Sequence, residues 1–191
     1  MAVEKSIAGS MMQNYNLLQQ AGLYITGETY SPIVQNLIAL PGTKLEGITE
    51  VYSHPMAIYQ CYDFLNSLPN IKLVEKDDTA GSVKEIKEKN LQGKAAIASS
   101  LAAEIYGMEI LAPSIETNKK NYTRFLIISP EANKDLENTS KASLYFSVPH
   151  STGSLSRVLS VISYNNINLA KIQSYPIIGE DWQYYFHVDL E

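Results

Sequence analysis

The sequence predicts an α/β fold of alternating strands and helices, followed by a smaller β-α-β-β unit. Three observations lead there. Short apolar runs of strand length recur, bounded by Gly, Pro, Asn and Asp, as in "GITEVYSHP", "IKLVEKDD" and "KAAIASS". Between them lie segments with helical apolar spacing, such as "MAIYQCYDFLNSL". After the polar stretch Ser129 to Ser143, two alternating segments flank a single amphipathic helix. Strands that alternate with helices imply a layered, mostly parallel sheet.

In chain order, "MAVEKSIAGS" reads as the end of a buried strand and a polar turn. A chain that opens on such a turn leads us to expect further residues upstream of Met1. Met11, Met12, Tyr15, Leu18 and Leu23 fall near helical spacing, with Gly22 as a stop. "YITGETYSPIVQNLIAL" supplies two strands and "GITEVYSHP" a third. A helix is predicted over Met56–Leu68, with Pro55 at its start, where the missing N–H is not needed. "IKLVEKDD" is a strand; Thr79 is the predicted cap of a helix ending near Asn90. "KAAIASS", "LAAEIYGM" and "EILAPSI" continue as strand, helix and strand. "SPEANKDLENTSKAS" is the predicted linker. Beyond it, Leu155, Val158, Leu159 and Ile162 share one helix face, and Gly179-Glu180-Asp181 closes a hairpin. Four elements are few for a self-standing unit, so a further helix and strand are expected after Glu191.

At 191 residues, 45% hydrophobic and 18% charged, the chain can bury a substantial core. The net charge of −5 and the lack of a basic cluster argue against a nucleic-acid surface. The single Cys61 excludes an internal disulfide framework and a cysteine-based zinc motif, which fits a reducing compartment. No apolar stretch approaches the length that spans a bilayer, and cytoplasm is the expected location.

Four places can carry chemistry. Ser53-His54-Pro55 sits at a strand C-terminus before a helix, where α/β sheets place ligand groups, with Gln60 nearby. From the tripeptide alone, a plain strand-end turn with an incidental histidine is the favoured reading. Glu4-Lys5-Ser6 with Gly9-Ser10 offers hydroxyls and backbone N–H groups to a carboxylate, or caps the following helix. Thr123-Arg124 opens the strand "FLIIS", either as a strand-start pair or as a positioned donor beside a guanidinium suited to a carboxylate. Gly153-Ser154-Leu155-Ser156 opens the last helix.

Taken in order, Glu4-x-Ser6-x-x-Gly9-Ser10, Ser53-His54-Pro55 with Gln60-Cys61, Asn121-x-Thr123-Arg124-Phe125, the Gly-Ser-Leu-Ser helix start and Gln173-Ser174-Tyr175-Pro176 resemble prephenate dehydratase over essentially the whole chain. The resemblance implies a dehydratase domain over residues 1–130, built like a type II periplasmic binding protein. One of its lobes would cover about 7–112, with a return strand at 123–129, and the N-terminal lobe would be largely missing. A linker at 131–141 would lead to an incomplete ferredoxin-like ACT regulatory domain at 142–191.

It implies conversion of prephenate to phenylpyruvate, water and carbon dioxide, with no metal or organic cofactor. Thr123 would donate to the leaving hydroxyl, with Arg124 shaping the site. Glu4, Lys5, Ser6, Ser10, Ser53, His54, Gln60 and Phe125 would surround the substrate. The effector L-phenylalanine would sit at Gly153, Ser154, Leu155, Gln173 and Ser174, in a homo-oligomer, dimer or tetramer. No nucleic-acid or membrane partner is implied. Four positions depart from the family pattern: Lys5 stands where Asn is usual, Met56 where Gln is usual, and Gln173 and Tyr175 replace the Glu and Arg of the common Glu-Ser-Arg-Pro. A lysine cannot reproduce an amide's donor-acceptor pair, so the alternatives are a non-catalytic amino-acid or small-carboxylate binding or sensor protein on the same scaffold, or an inactive fragment lacking part of the cleft.

Overall fold

A computed structural model of the chain describes residues 1–134 and 137–191. Packing groups these into two compact units, each assembled from separate segments. Unit 1 comprises Met1–Glu4, Gly9–Thr29 and Arg124–Glu191; unit 2 comprises Lys5–Ala8 and Tyr30–Thr123.

The chain opens with β1 (Ala2–Lys5), β2 (Gly9–Ser10) and α1 (Met12–Ala21). Gly22 ends α1 with a left-handed φ of 61°, the conformation that favours glycine after a helix. Then come β3 (Tyr24–Pro32), β4 (Asn36–Ala39) and β5 (Glu50–Ser53). The helix predicted over Met56–Leu68 forms as two pieces, α2 (Pro55–Gln60) and α3 (Tyr62–Asn66), because Cys61 leaves helical geometry at φ −106° and ψ 17°. Next are β6 (Lys72–Glu75) and α4 (Thr79–Glu88). The cap of α4 is Asp78, whose Oδ1 accepts from Gly81 N at 2.6 Å; Thr79, the predicted cap, is the first helical residue. A carboxylate reaches the free N–H groups of the first turn and suits the positive end of the helix.

Unit 2 continues with β7 (Lys94–Ala98), α5 (Ser100–Tyr106) and β8 (Glu109–Ala112). Its five-stranded sheet has the order β6-β5-β7-β4-β8. β5 runs parallel to β6 and β7, whereas β4 is antiparallel to β7 and β8. The sheet is therefore mixed rather than mostly parallel. Successive side chains of a strand face opposite sides, and both faces are covered. Leu37, Ala39, Ala95 and Ile97 pack with Ala57, Cys61 and Leu65 of the α2–α3 side. Ile38, Ala96 and Ala98 pack with Val83 and Ile86 of α4 and with Ala102 and Ala103 of α5. Burial on both faces explains why these strands read as continuous apolar runs.

β9 (Tyr122–Ser129) joins β1, β2 and β3 in a four-stranded sheet of order β2-β1-β9-β3. In unit 1, Met1 N donates to Leu126 O at 2.7 Å and Leu126 N to Met1 O at 2.8 Å. Between β9 and β10 (Ala142–Ser147) the described residues of the expected linker form no helix or strand; positions 135 and 136 lie outside the described residues. α6 (Ser154–Tyr164), β11 (Leu169–Pro176) and β12 (Tyr184–Leu190) complete the predicted β-α-β-β order, with the hairpin where it was expected. The three strands are antiparallel in the order β10-β12-β11. One face packs Phe146, Val188, Leu190 and Leu169 against Val158, Leu159 and Ile162 of α6. The other buries Tyr145, Tyr175 and Tyr185 with Tyr15 of α1, Val3 and Leu126.

Candidate functional site

In unit 2, the turn after β1 meets the approach to β9. Ser6 N donates to Tyr122 O at 2.8 Å, Ser6 Oγ donates to Lys120 O at 3.2 Å, and Tyr122 N donates to Ser6 Oγ at 2.9 Å. Lys5 is half-buried beside this exchange. The segment then alternates sharply: Asn121 is fully buried, Tyr122 is 41% exposed and Thr123 is 7% exposed. Asn121 and Thr123 thus share one face of the strand. The Asn121 carbonyl accepts from Ile33 N at 2.8 Å, but its side-chain amide has no hydrogen-bond partner among the described residues.

The other sequence-predicted residues of unit 2 are placed by the ends of β5 and α2. Ser53 is fully buried, and its Oγ donates to Ile97 O at 2.7 Å, so its proton is already engaged across the sheet. His54 is exposed, and its Nδ1 accepts from Met56 N at 3.1 Å, which makes it the cap of α2. Gln60 is buried; its Oε1 accepts from Gln35 Nε2 at 3.2 Å and its carbonyl accepts from Thr117 N at 2.8 Å. Behind it Glu116, a residue the sequence reading passed over, accepts from Gln35 N at 2.9 Å and from Ser114 Oγ at 2.7 Å. Burial would raise the Glu116 carboxyl, but these donors together with Lys119 hold it below its ordinary value. Cys61 is buried, and desolvation followed by the Glu116 charge pushes its thiol up to about 12. It is an inert core thiol rather than a nucleophile.

Unit 1 holds Glu4, Ser10, Arg124 and Phe125. Ser10 and Phe125 are half-buried. Arg124 was expected to suit a substrate carboxylate, yet its guanidinium is already shared among protein carboxylates. Nε and Nη2 each lie 2.7 Å from Glu28 Oε2, Nη1 lies 2.5 Å from Asp189 Oδ2, and Glu4 Oε2 is 3.8 Å from Nη1. Glu4, expected at the substrate, pairs with Lys171 Nζ at 2.7 Å. Asp189 Oδ1 is approached by Ser143 Oγ at 2.7 Å and by His187 Nε2 at 3.0 Å. Burial works against ionised Asp189, but hydrogen bonds from His187, Ser143 and Arg124 overcome it and hold the carboxyl far below the usual carboxylate range. Asp189 and Glu28 carried no motif; only their placement on β12 and β3 reveals them.

The helix-start residues lie elsewhere in unit 1. Gly153, at a left-handed φ of 78°, precedes α6, and buried Ser154 shares a 2.7 Å hydrogen bond with Ser151. Leu155 is half-buried, and Gln173 Nε2 donates to the Ser174 carbonyl at 3.2 Å. Among the described residues, no group of three or more His, Cys, Asp or Glu side chains is placed to hold a metal ion, and no helix is long and apolar enough to cross a membrane.

The prephenate dehydratase family profile matches residues 1–133. The chain belongs to the prephenate dehydratase family. The match covers both the Ser53-His54-Pro55 turn and the Thr123-Arg124-Phe125 strand. Among curated proteins, it is 41% identical over 176 residues to arogenate dehydratase 1 of Petunia hybrida, covering 91% of this chain and 41% of that protein. It is 32% identical over 190 residues to the bifunctional chorismate mutase/prephenate dehydratase of Buchnera aphidicola, covering 99% and 49%. The chain spans about half the length of the curated relatives it matches.

Among solved structures, GqqA, described as a novel type of quorum quenching acylase, superposes with a TM-score of 0.88 at 31% identity, covering all of this chain and 70% of that one. The prephenate dehydratase of Arthrobacter aurescens in complex with L-Phe superposes at 0.84 and 29% identity, covering 95% of this chain and 61% of that one. The α/β fold therefore matches that of solved prephenate dehydratases.

Proposed function

We propose that this family member contributes to the decarboxylating dehydration of prephenate to phenylpyruvate, water and carbon dioxide, in phenylalanine biosynthesis. The observation that carries the reading is Thr123, nine-tenths buried at the start of β9 within the matched family region. Aromatisation drives the reaction, so the protein has to orient the substrate and assist a leaving hydroxyl. A threonine hydroxyl is too weak an acid to protonate it outright but donates a hydrogen bond as charge develops there. Gln60 and the turn at Lys5-Ser6 serve the substrate's polar groups in this reading, with Ser53 fixing the end of β5 and Arg124 fixing β9 from behind Thr123. No cofactor takes part. Relatives named arogenate dehydratases make arogenate the second substrate to assay.

The β-α-β-β segment supplies part of an ACT regulatory domain in this proposal, and the dehydratase domain resembles a type II periplasmic binding protein. L-phenylalanine acts at Gly153, Ser154, Leu155, Gln173 and Ser174, in a cytoplasmic dimer or tetramer. The solved L-Phe complex of a relative supports the effector.

The test is phenylpyruvate formation from prephenate, followed by ultraviolet absorbance on the chain extended to the length of its relatives. Thr123→Ala should lower kcat by about 10²- to 10³-fold, while Thr123→Ser keeps most of the rate. An unchanged rate in Thr123→Ala overturns the assignment. Lys5, standing where the family has an amide, favours a second reading as a non-catalytic sensor. That reading predicts heat from L-phenylalanine binding without turnover.

A further inference from the structure

The side chains that unit 2 brings to the candidate site are almost all neutral. Ser53, Gln60 and Thr123 carry no charge, and the fully buried Asn121, on the same face as Thr123, has an amide without a hydrogen-bond partner among the described residues. The buried acid Glu116 is matched by Gln35 N, Ser114 Oγ and Lys119 Nζ. Arg124, whose guanidinium suits a carboxylate, is taken up by Glu28 and Asp189 within unit 1.

Lys5 differs from all of these. It is half-buried, and among the described residues neither a hydrogen bond nor an ion pair engages its ammonium. Every other lysine among the described residues is either paired with a carboxylate or exposed. A cation drawn partly out of water and left unmatched is costly until an anion meets it. Ser6 N donates to Tyr122 O at 2.8 Å, so Lys5 and Thr123 each lie one residue from the bond that joins their segments. Neighbouring positions on paired strands are about 5 to 8 Å apart, within the reach of a long side chain.

We propose that Lys5 is a specificity-determining residue that selects prephenate over arogenate, an inference that rests on the dehydratase reading. Both compounds carry two carboxylates, but prephenate has a neutral keto group where arogenate has an ammonium. The asparagine usual at this position can donate to a carboxylate and accept from an ammonium, so it tolerates either. A lysine only donates, and its charge repels a second cation. It therefore holds a substrate carboxylate as a point charge and penalises the amino compound. The direction is opposite to the one suggested by the names of the plant relatives, arogenate dehydratases at 41% and 38% identity.

Steady-state kinetics with prephenate and arogenate, on the chain extended to the length of its relatives, tests the assignment. kcat/KM should favour prephenate by at least about tenfold, the effect of one charge-assisted contact. In Lys5→Asn that preference should shrink by about tenfold or more, while Lys5→Arg, which keeps the charge, should retain it. Added salt should raise KM for prephenate more than for arogenate, because screening weakens a contact between charges; this arm needs no variant and decides the matter if Lys5→Asn fails to fold. The proposal is overturned by a wild-type preference for arogenate, by an unchanged preference in a folded Lys5→Asn protein, or by equal salt responses. If neither compound turns over, the dehydratase reading falls, and calorimetry with the same two compounds decides the role of Lys5. Tighter prephenate binding that is lost in Lys5→Asn then sustains it, and equal binding overturns it.

Discussion

Arg124 and Asp189, 65 positions apart, meet at 2.5 Å inside unit 1, with their side chains 11% and 4% exposed. The pair ties the strand that begins with Thr123 to the last strand of the chain. Glu28 takes the other edge of the guanidinium, so every face of it that meets an acid is matched within the unit.

Removing one partner of a buried ion pair leaves an uncompensated charge. Asp189→Ala should therefore cost about 3 kcal/mol or more of stability, read from the midpoint of urea unfolding. A loss under about 1 kcal/mol would mean that the pair is solvated or readily replaced.

The same carboxyl makes stability depend on acid. Asp189 binds its proton less tightly in the folded chain than in the unfolded one, so the unfolded chain takes up more protons as the pH falls. Its contribution is complete above the unfolded carboxylate range of about 4 and is lost as the pH drops below that toward the folded value. Urea unfolding repeated below neutrality should show stability falling steeply in this window. In Asp189→Asn the slope should be shallower; an identical slope would remove Asp189 from the account.

Cys61 should be silent to thiol reagents in the native state at pH 8, where burial keeps it protonated. One thiol per chain should appear at once on adding denaturant. Rapid labelling of the folded protein would show that the α2–α3 junction opens.

The α4 cap separates two neighbouring residues. Asp78→Ala should cost about 1 kcal/mol, whereas Thr79→Ala should stay within about 0.5 kcal/mol. Gly81→Ala should resemble the Asp78 change, because a Cβ there would come within 2.5 Å of Asp78 Oδ2 and displace the capping carboxylate. Thermal melts of the three variants check the order.

Local patterns made most elements readable. The periodicity around Tyr15, the stop at Gly22 and the apolar face of α6 are all encoded within a few residues, and they reappear as drawn. What failed was decided at long range. Antiparallel pairing of β4 with β7 depends on where distant strands dock, which "NLIAL" does not record. The break at Cys61 lies inside an unbroken helical pattern. Thr123 was singled out by an ordered set of motifs, and what the structure adds is its burial. Asp189 and Glu28 were not, since an acid in an alternating strand looks solvent-facing until its partner is placed. Arg124 illustrates both sides: the motif singled it out, while the carboxylates that occupy it came from residues 28 and 189.

The segmented make-up of the two units sets an order of assembly. Apart from the tetrapeptide 5–8, unit 2 is one continuous stretch, Tyr30–Thr123, lying in sequence between the pieces of unit 1. During synthesis that stretch is complete, and its sheet can close, while unit 1 still lacks β9 and its partners. Met1 waits 125 residues for Leu126, and Tyr15 longer still for His187, whose ring settles 4.5 Å away. A stalled or clipped chain ending near residue 123 would thus keep one finished core and leave α1 and β3 with apolar faces uncovered, a handle for quality control rather than a half-working protein.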